Sequence, residues 1–300
     1  MATTMQADWI AVDWGTSNLR AYAMQGGTIV AQRQSSEGMA KVSPDAFEPA
    51  LDALLQGWAG TDLPIIACGM VGARQGWVEA PYREVPCAPL GGQLTQAPSS
   101  TERTVHVISG LSQSHPADVM RGEETQIAGF LALNPGWDGV LCLPGTHTKW
   151  VHLSAGEVVS FQTFMTGELY ALLSNASVLR HTVTGDGWDQ NAFDQAVDDT
   201  ISRPERLAAR LFSIRATDLL GQHGSGAAAS ALSGYLIGAE LASARAYWLG
   251  QNVAILGQGE QARAYEAALR RQAVTAMLTD ADRATVAGLT AAYRLHKETQ

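Results

Sequence analysis

Cysteine is scarce in this 300-residue sequence: Cys68, Cys87 and Cys142 are the three present. Three thiols cannot build a disulfide framework, and no CxxC pair or Cys/His cluster marks a metal cage. Cys68 and Cys142 each sit in an apolar run, where cysteine serves as a small core residue. No apolar run approaches the roughly 18 residues of a membrane span. No basic segment followed by an apolar stretch opens the chain, so no signal peptide is expected and a reducing cytoplasm is the default location. Basic charge is also short. Lys and Arg total 20 against 29 Asp and Glu, a formal net charge of −9, which argues against a nucleic-acid partner. It leaves room for a small anionic substrate, which needs only a few local Arg or Lys groups. Low-complexity tracts and short repeats are absent as well.

What is present is apolar. Hydrophobic residues make up 46% and charged residues 16%, a composition that builds large cores and excludes disorder. The length suits one large domain or two lobes of ordinary size.

A strand–turn–strand pattern occurs twice. Trp9 to Val12 reads as a strand, Asp13-Trp14-Gly15-Thr16-Ser17 as a turn, and Leu19 to Met24 as a second strand, with Gly26-Gly27 leading into Thr28 to Gln32. Val140 to Leu143, Pro144-Gly145-Thr146-His147-Thr148, Lys149 to Leu153 and Val158 to Phe164 repeat the design about one lobe later. Between them, Ser43-Pro44 opens a helix with Ser43 as N-cap, and Ile65 to Cys68 and Val105 to Ile108 are short buried strands. Leu90 to Arg103 reads as a loop, and Gly122 to Leu133 as a helix. The later chain is mostly helical to Tyr247, with Leu232, Leu236 and Leu241 on a tightly packed internal helix. Trp188 reads as a loop anchor. Asp186 and Asp189 match no calcium-loop spacing. Asn252 to Leu256 is a last strand, followed by a helix from Glu260 to Gln272 and a final helix from Asp280 to about Leu295.

Three turns carry candidate chemistry. In the first, Gly15 lets the backbone approach a phosphate, Thr16 and Ser17 offer hydroxyls, and Asp13 at the strand end suits Mg²⁺ held through water. Alone, the segment is an ordinary hairpin turn. In the second, Gly145, Thr146 and His147 repeat the scheme and Lys149 adds a cation that can neutralise phosphate; a lone His147 is more often a turn or core residue. In the third, Gly257-Gln258-Gly259 lies between a buried strand and a helix and allows an adenine or ribose close, or simply turns the chain into the helix.

In this order the three turns resemble the actin-like ATPase superfamily. The segments DWGTSNLR (13–20), GMVG (69–72) with Gly76-Trp77, MRGEETQ (120–126), LPGTHTKW (143–150) and FMTGELY (164–170) resemble the 2-dehydro-3-deoxygalactonokinase family more narrowly, over nearly the whole chain. The resemblance implies an α/β fold of two lobes, each a mixed sheet with flanking helices, around a central cleft in which ATP lies. The first lobe is expected at 1–134 joined by the C-terminal helix 280–300, and the second at 135–279. It further implies ATP and Mg²⁺ as cofactors, a sugar acid as substrate, phosphorylation of 2-dehydro-3-deoxygalactonate to the 6-phosphate, and a step in galactonate or galactose breakdown. No nucleic acid and no membrane are expected as partners, and a homodimer is compatible with the reading.

Many kinases of this superfamily place one catalytic Asp before the helix leading to the second hairpin. Here that place holds Arg121-Gly122-Glu123-Glu124. Topology points to the Glu pair as the base, with a lean to Glu123; acids in a first helical turn also suit the macrodipole without any catalytic role. For the sugar acid, the Gly69-to-Tyr82 loop offers Arg74 to the carboxylate and Trp77 and Tyr82 to the carbon skeleton. Arg20 and Arg83 compete with Arg74, and Thr166, with Gly167 and Glu168, offers either a contact from the second lobe or a helix N-cap. Two rivals remain: an exopolyphosphatase-type phosphohydrolase, and a non-enzymatic actin-type nucleotide sensor.

Overall fold

The segment Trp9–Trp14 (β1) is apolar on both faces, and all but Asp13 of its six residues are buried. Such a strand belongs at the centre of a sheet covered on both sides. In the computed structural model, which describes residues 7–58, 63–101, 103–183, 187–221 and 226–299, β1 takes that place. Strands β2 (Leu19–Gln25) and β3 (Thr28–Ser35) follow, then helix α1 (Phe47–Leu55), β4 (Ile65–Gly69), β5 (Tyr82–Glu84), β6 (Thr95–Gln96), β7 (Val105–Val107), β8 (Gly110–Ser114), β9 (Ala117–Met120) and α2 (Glu123–Leu133). The second half brings β10 (Gly139–Leu143), β11 (Thr148–Ser154), β12 (Glu157–Phe164), α3 (Thr166–Ala176), α4 (Gln190–Ser202), α5 (Leu207–Leu219), α6 (Ala227–Ser243), α7 (Arg245–Trp248), β13 (Val253–Leu256), α8 (Gly259–Arg271), β14 (Ala276–Thr279) and α9 (Ala281–Glu298).

The chain divides into two compact units: Met1–Trp137 with Ser154–Ser160 and Ala281–Gln300, and Asp138–Leu153 with Phe161–Asp280. The first contains a six-stranded sheet in the order β3-β2-β1-β4-β7-β6 and a small sheet β5-β8-β9. β1 is antiparallel to β2 and parallel to β4. Ile10, Val12 and Trp14 pack on one face with Phe47, Leu51 and Leu55 of α1, while Trp9 and Ala11 pack on the other with Leu289 and Ala292 of α9. The strict alternation of β1 thus decides which helix covers which face.

The sheet β12-β11-β10-β13-β14 repeats the first five places of that order, and β10 is again antiparallel to its hairpin partner and parallel to the next strand, β13. Val140, Cys142 and Trp150 pack against Phe193 and Val197 of α4, Ile237 and Leu241 of α6, and Tyr265 and Leu269 of α8. Gly234 and Gly238 let α6 press on α4, where an added Cβ would meet the Phe193 and Val197 carbonyls at 2.5 and 2.7 Å.

Some elements differ from the expectation. β1 runs on to Trp14 because that ring is buried against Phe47, with centroids 5.2 Å apart. Ser43 does not cap with its side chain; Pro44–Ala46 is a 3₁₀ turn and the α-helix proper starts at Phe47. Asp186 lies outside the described residues, whereas Asp189 caps α4 by accepting from the Ala192 amide at 3.0 Å. The β8–β9 hairpin and β14 lack a clear alternating pattern and have no counterpart in the sequence reading. Among the described residues no helix is long and apolar enough to cross a membrane.

Helices α2 and α9 meet backbone to backbone at two glycines. A Cβ on Gly288 would lie 1.9 Å from the Thr125 carbonyl, and one on Gly129 would lie 1.8 Å from that of Ala284. Gly288→Ala should therefore destabilise the protein by about 1–3 kcal/mol or more, as overpacking does. Denaturant unfolding would check this, and an unchanged midpoint would refute it.

Candidate active site

In the first hairpin, Gly15 N–H donates to the Asn18 carbonyl at 3.0 Å and closes a tight turn. The Gly15 and Thr16 carbonyls accept from the Met39 and Ala40 amides, both at 3.0 Å. Gly38 makes this possible, since a Cβ there would sit 2.4 Å from the Thr16 oxygen. With its carbonyls tied from behind, the turn leaves Thr16 and Ser17 exposed.

Asp13 stands one residue before the end of β1. Its carboxylate lies 3.6 Å from Arg20 Nη1, and Arg20 also donates to Asp282 on α9 at 3.1 Å. Burial raises the Asp13 pKa and the Arg20 charge opposes that rise. Gly69 (φ 93°) ends β4, and a Cβ there would stand 2.6 Å from the Trp14 carbonyl; Gly122 (φ 103°) precedes α2 and would place a Cβ 3.3 Å from the Gly69 Cα. The ends of β1 and β4 and the start of α2 therefore converge in one place.

The Glu pair sits there and is not equivalent. Glu123 is half-buried, and its carboxylate accepts from the Arg121 amide at 3.0 Å. Glu124 is fully buried, accepting from the Gly122 amide at 2.7 Å and the Thr125 hydroxyl at 3.1 Å. Burial, then the charge of Glu123, pushes Glu124 up to about 7.

The expected sugar-acid loop is less uniform than its composition suggests. Arg74 is 80% exposed and pairs with Glu79 at 3.3 Å. Trp77 stacks on Phe47, with centroids 6.4 Å apart, and meets Trp14 edge-on. Tyr82 is exposed and its ring lies 4.3 Å from the Arg121 guanidinium. Arg83 donates to the Ala88 and Pro89 carbonyls at 2.8 and 2.7 Å.

The second unit repeats the hairpin device. The Thr146 carbonyl accepts from the Glu168 amide at 2.9 Å, and the Gly145 carbonyl from Gln261 Nε2 at 2.9 Å. Gly167 closes against the turn, where a Cβ would stand 2.2 Å from the Gly145 oxygen. Thr146 and His147 are exposed, and His147 Nε2 lies 2.6 Å from Glu168. Lys149 is buried in β11. Thr166 is the first residue of α3 rather than its cap, which is Met165. Its hydroxyl donates to the buried Glu240, as do Trp150 Nε1 and the Tyr265 hydroxyl, each of these two at 2.7 Å. Burial raises the Glu240 pKa against these three hydrogen bonds.

A cavity of about 600 Å³ opens beside this hairpin, lined among others by Gly145, Thr146, Gly167, Trp188, Gln261 and Tyr265. Gly257, Gln258 and Gly259 line a separate hollow of about 230 Å³ with Arg263 and Leu278. Sequence reasoning missed the cavity's Gln261 and Tyr265, and the buried Glu240 bonded to Tyr265, which come from helices whose patterns signal only packing. Trp188, read as an anchor, packs on Phe193 at 4.8 Å and also lines the cavity.

A sheet order used twice, each time with a Gly and hydroxyl hairpin on its central strand, defines the actin-like ATPase fold in its sugar-kinase form. The fold is shared, at 12% identity and a TM-score of 0.50, with the activator of the 2-hydroxyisocaproyl-CoA dehydratase from Clostridium difficile, over 97% of this chain and 96% of that one. The chain also matches the family of 2-keto-3-deoxy-galactonokinase over residues 13–292, and it belongs to that family. A Rhizobium meliloti (strain 1021) protein named a probable 2-dehydro-3-deoxygalactonokinase is 42% identical, over 95% of this chain and 96% of its own. The 2-dehydro-3-deoxygalactonokinase of Escherichia coli (strain K12) is 36% identical, over 95% and 97%. A crystal structure of a Sinorhizobium meliloti protein described as a 2-dehydro-3-deoxygalactonokinase aligns with a TM-score of 0.89 at 40% identity, over 96% of both chains.

Glu124 makes stability depend on pH. Its folded value of about 7 lies above the ordinary 4.5 of a glutamate, so its contribution is complete below about 4.5 and is lost as pH rises through about 7. The gap corresponds to about 3 kcal/mol. Glu124→Gln should flatten the fall in unfolding free energy between these limits, measured by denaturant titration at several pH values; a variant that tracks the wild type would exclude the assignment.

Proposed function

We propose that this protein transfers the γ-phosphoryl group of ATP to the terminal hydroxyl of 2-dehydro-3-deoxygalactonate, giving 2-dehydro-3-deoxy-6-phosphogalactonate, a step of galactonate breakdown in the cytoplasm. The observation that carries this reading is the pair of alike hairpins, each tied from behind and exposing hydroxyls, in a chain of the galactonokinase family. In the first unit Gly15, Thr16 and Ser17, and in the second Gly145, Thr146 and His147, each form a turn suited to nucleotide phosphate. Lys149, buried just behind the second turn, adds positive charge there. The 600 Å³ cavity, continuous with Gly145 and Thr146, suits the nucleoside, and Gly257 to Gly259 border the same helix α8.

Mg²⁺ fits Asp13: a single carboxylate, a quarter exposed at a strand end, suits an ion that keeps most of its water. When bound with ATP it neutralises phosphate charge. Glu123, the accessible member of its pair, takes the hydroxyl proton of the sugar acid as the oxygen attacks phosphorus. Glu124 stays in the interior and holds the turn before α2 through the Gly122 amide. Arg20 and the Gly69-to-Tyr82 segment face the sugar acid. Trp77 and Thr166 have internal partners, so packing and positioning are their roles.

Purified protein with Mg-ATP should phosphorylate 2-dehydro-3-deoxygalactonate far faster than galactose, glucose or glycerol, followed by ADP release and product mass. Equal activity on the neutral compounds would refute the reading. Glu123→Gln should lower kcat by roughly 10²–10⁴-fold, the usual contribution of a general base, while calorimetry still shows both substrates bound. Glu124→Gln should lose much less. If both keep near-normal kcat, Asp13 is the next carboxylate to substitute.

A further inference from the structure

Arg121 is the last residue before the Gly122-Glu123-Glu124 turn, and 8% of its surface is exposed. A guanidinium stays charged at any physiological pH and offers five N–H donors. Among the described residues a single oxygen meets this one: Nη2 donates to the Ala80 carbonyl at 2.7 Å. Nε and Nη1 are buried and have no hydrogen-bond partner among the described residues. The Tyr82 ring, 4.3 Å from the guanidinium carbon, supplies an aromatic face but no acceptor. Buried donors are almost always matched, and an unmatched charged group is the costliest exception. The other arginines of this region are better supplied: Arg20 pairs with Asp13 and Asp282, Arg74 with Glu79, and Arg83 donates to two carbonyls, leaving only its Nε without a partner among the described residues.

We propose that Arg121 binds the carboxylate of the sugar acid and so makes the enzyme acid-specific, with Tyr82 covering the guanidinium until substrate displaces the ring. Three features support a carboxylate here. Each fork edge of the guanidinium, Nε with Nη2 or Nη1 with Nη2, uses one hydrogen of Nη2; the Ala80 carbonyl takes one of them, and the other fork is left to take a planar carboxylate in bidentate fashion. The residue precedes the Glu pair by two and three positions, which puts acid recognition within a helical turn of the proposed base. Tyr82 is 42% exposed, so the cover lies at the surface and can leave without disturbing the core. A charge-assisted bidentate pair is stronger than the ring contact it replaces. The inference rests on the kinase reading above and narrows its substrate grip to one residue.

The test compares 2-dehydro-3-deoxygalactonate with its neutral analogue, in which C1 is a hydroxymethyl group, as substrates of the wild type and of Arg121→Met, Arg121→Lys and Gly72→Ala. Wild type should prefer the acid strongly; if it turns over neither compound, the kinase reading fails, and calorimetric binding of the acid to wild type and Arg121→Met still decides the role of Arg121. Truncating one partner of a buried charged pair weakens binding on the order of 10²–10³-fold. Arg121→Met should therefore raise KM for the acid by about that factor, leave KM for ATP within about twofold, and abolish the preference over the neutral analogue. Arg121→Lys should recover part of the loss, because a point charge cannot reproduce the fork. Gly72→Ala keeps the charge but sets a methyl 2.8 Å from Nη1. It should raise KM for the acid alone, and it decides the question if Arg121→Met fails to fold. A folded Arg121→Met that keeps the acid preference, or an unfolded one together with an unchanged acid KM in Gly72→Ala, overturns the proposal.

Discussion

The hydrogen bonds that tie the hairpin turns from behind are the constraint on which the rest depends. The Gly15 and Thr16 carbonyls are held by the Met39 and Ala40 amides, and the Thr146 and Gly145 carbonyls by the Glu168 amide and the Gln261 side chain. Each arrangement needs backbone to approach backbone more closely than a Cβ allows, at Gly38 in one case and Gly167 in the other. Once the carbonyls are committed, the hydroxyls of Thr16, Ser17 and Thr146 stand on the exposed side. Preorganised donors of this kind need not rearrange when charge develops on a transferring phosphoryl group, and that preorganisation is where phosphoryl transfer gains most.

Three buried charges show how differently the same cost is met. Glu240 accepts from Trp150, Thr166 and Tyr265, and these donors come from β11, α3 and α8. One carboxylate thereby fastens the hairpin strand to two helices that border the cavity beside the second hairpin. Glu124 has two donors, both from its own turn, and its pKa rises because burial outweighs them. Arg121 has one carbonyl and a tyrosine face. A satisfied network is structural; the unsatisfied one beside the acidic turn is the place for which a ligand is proposed.

The α2 helix links stability to chemistry. Its N-terminus carries the Glu pair, and its middle lies on α9 at Gly129 and Gly288 with no room for a methyl group. α9 in turn supplies Asp282 to Arg20, which lies beside Asp13. The C-terminal helix therefore fixes both acidic features of the first unit, although it lies about 150 residues from the Glu pair in sequence.

The two hairpins were legible because a Gly and hydroxyl cluster between two apolar runs can form little else. That is a local rule, and local chemistry was enough for it. The repeated strand–turn–strand pattern, the segments resembling the galactonokinases and the acidic turn after Met120 were likewise open to inspection. The β8–β9 hairpin was not, since its residues alternate weakly and it is stabilised by pairing with β5. Nor was the difference between Glu123 and Glu124: adjacent and alike in sequence, they are separated only by the packing that buries Glu124 completely. Arg121 looks like a solvated charge before a helix until the Ala80 carbonyl, the Tyr82 ring and Gly72 are brought around it from residues about 40 to 50 positions away. Sequence alone determined which glycine, hydroxyl and carboxylate groups this protein carries in its turns. Tertiary structure decided which of them are buried, which are matched and which stand open, because burial and pairing depend on neighbours that no local pattern names.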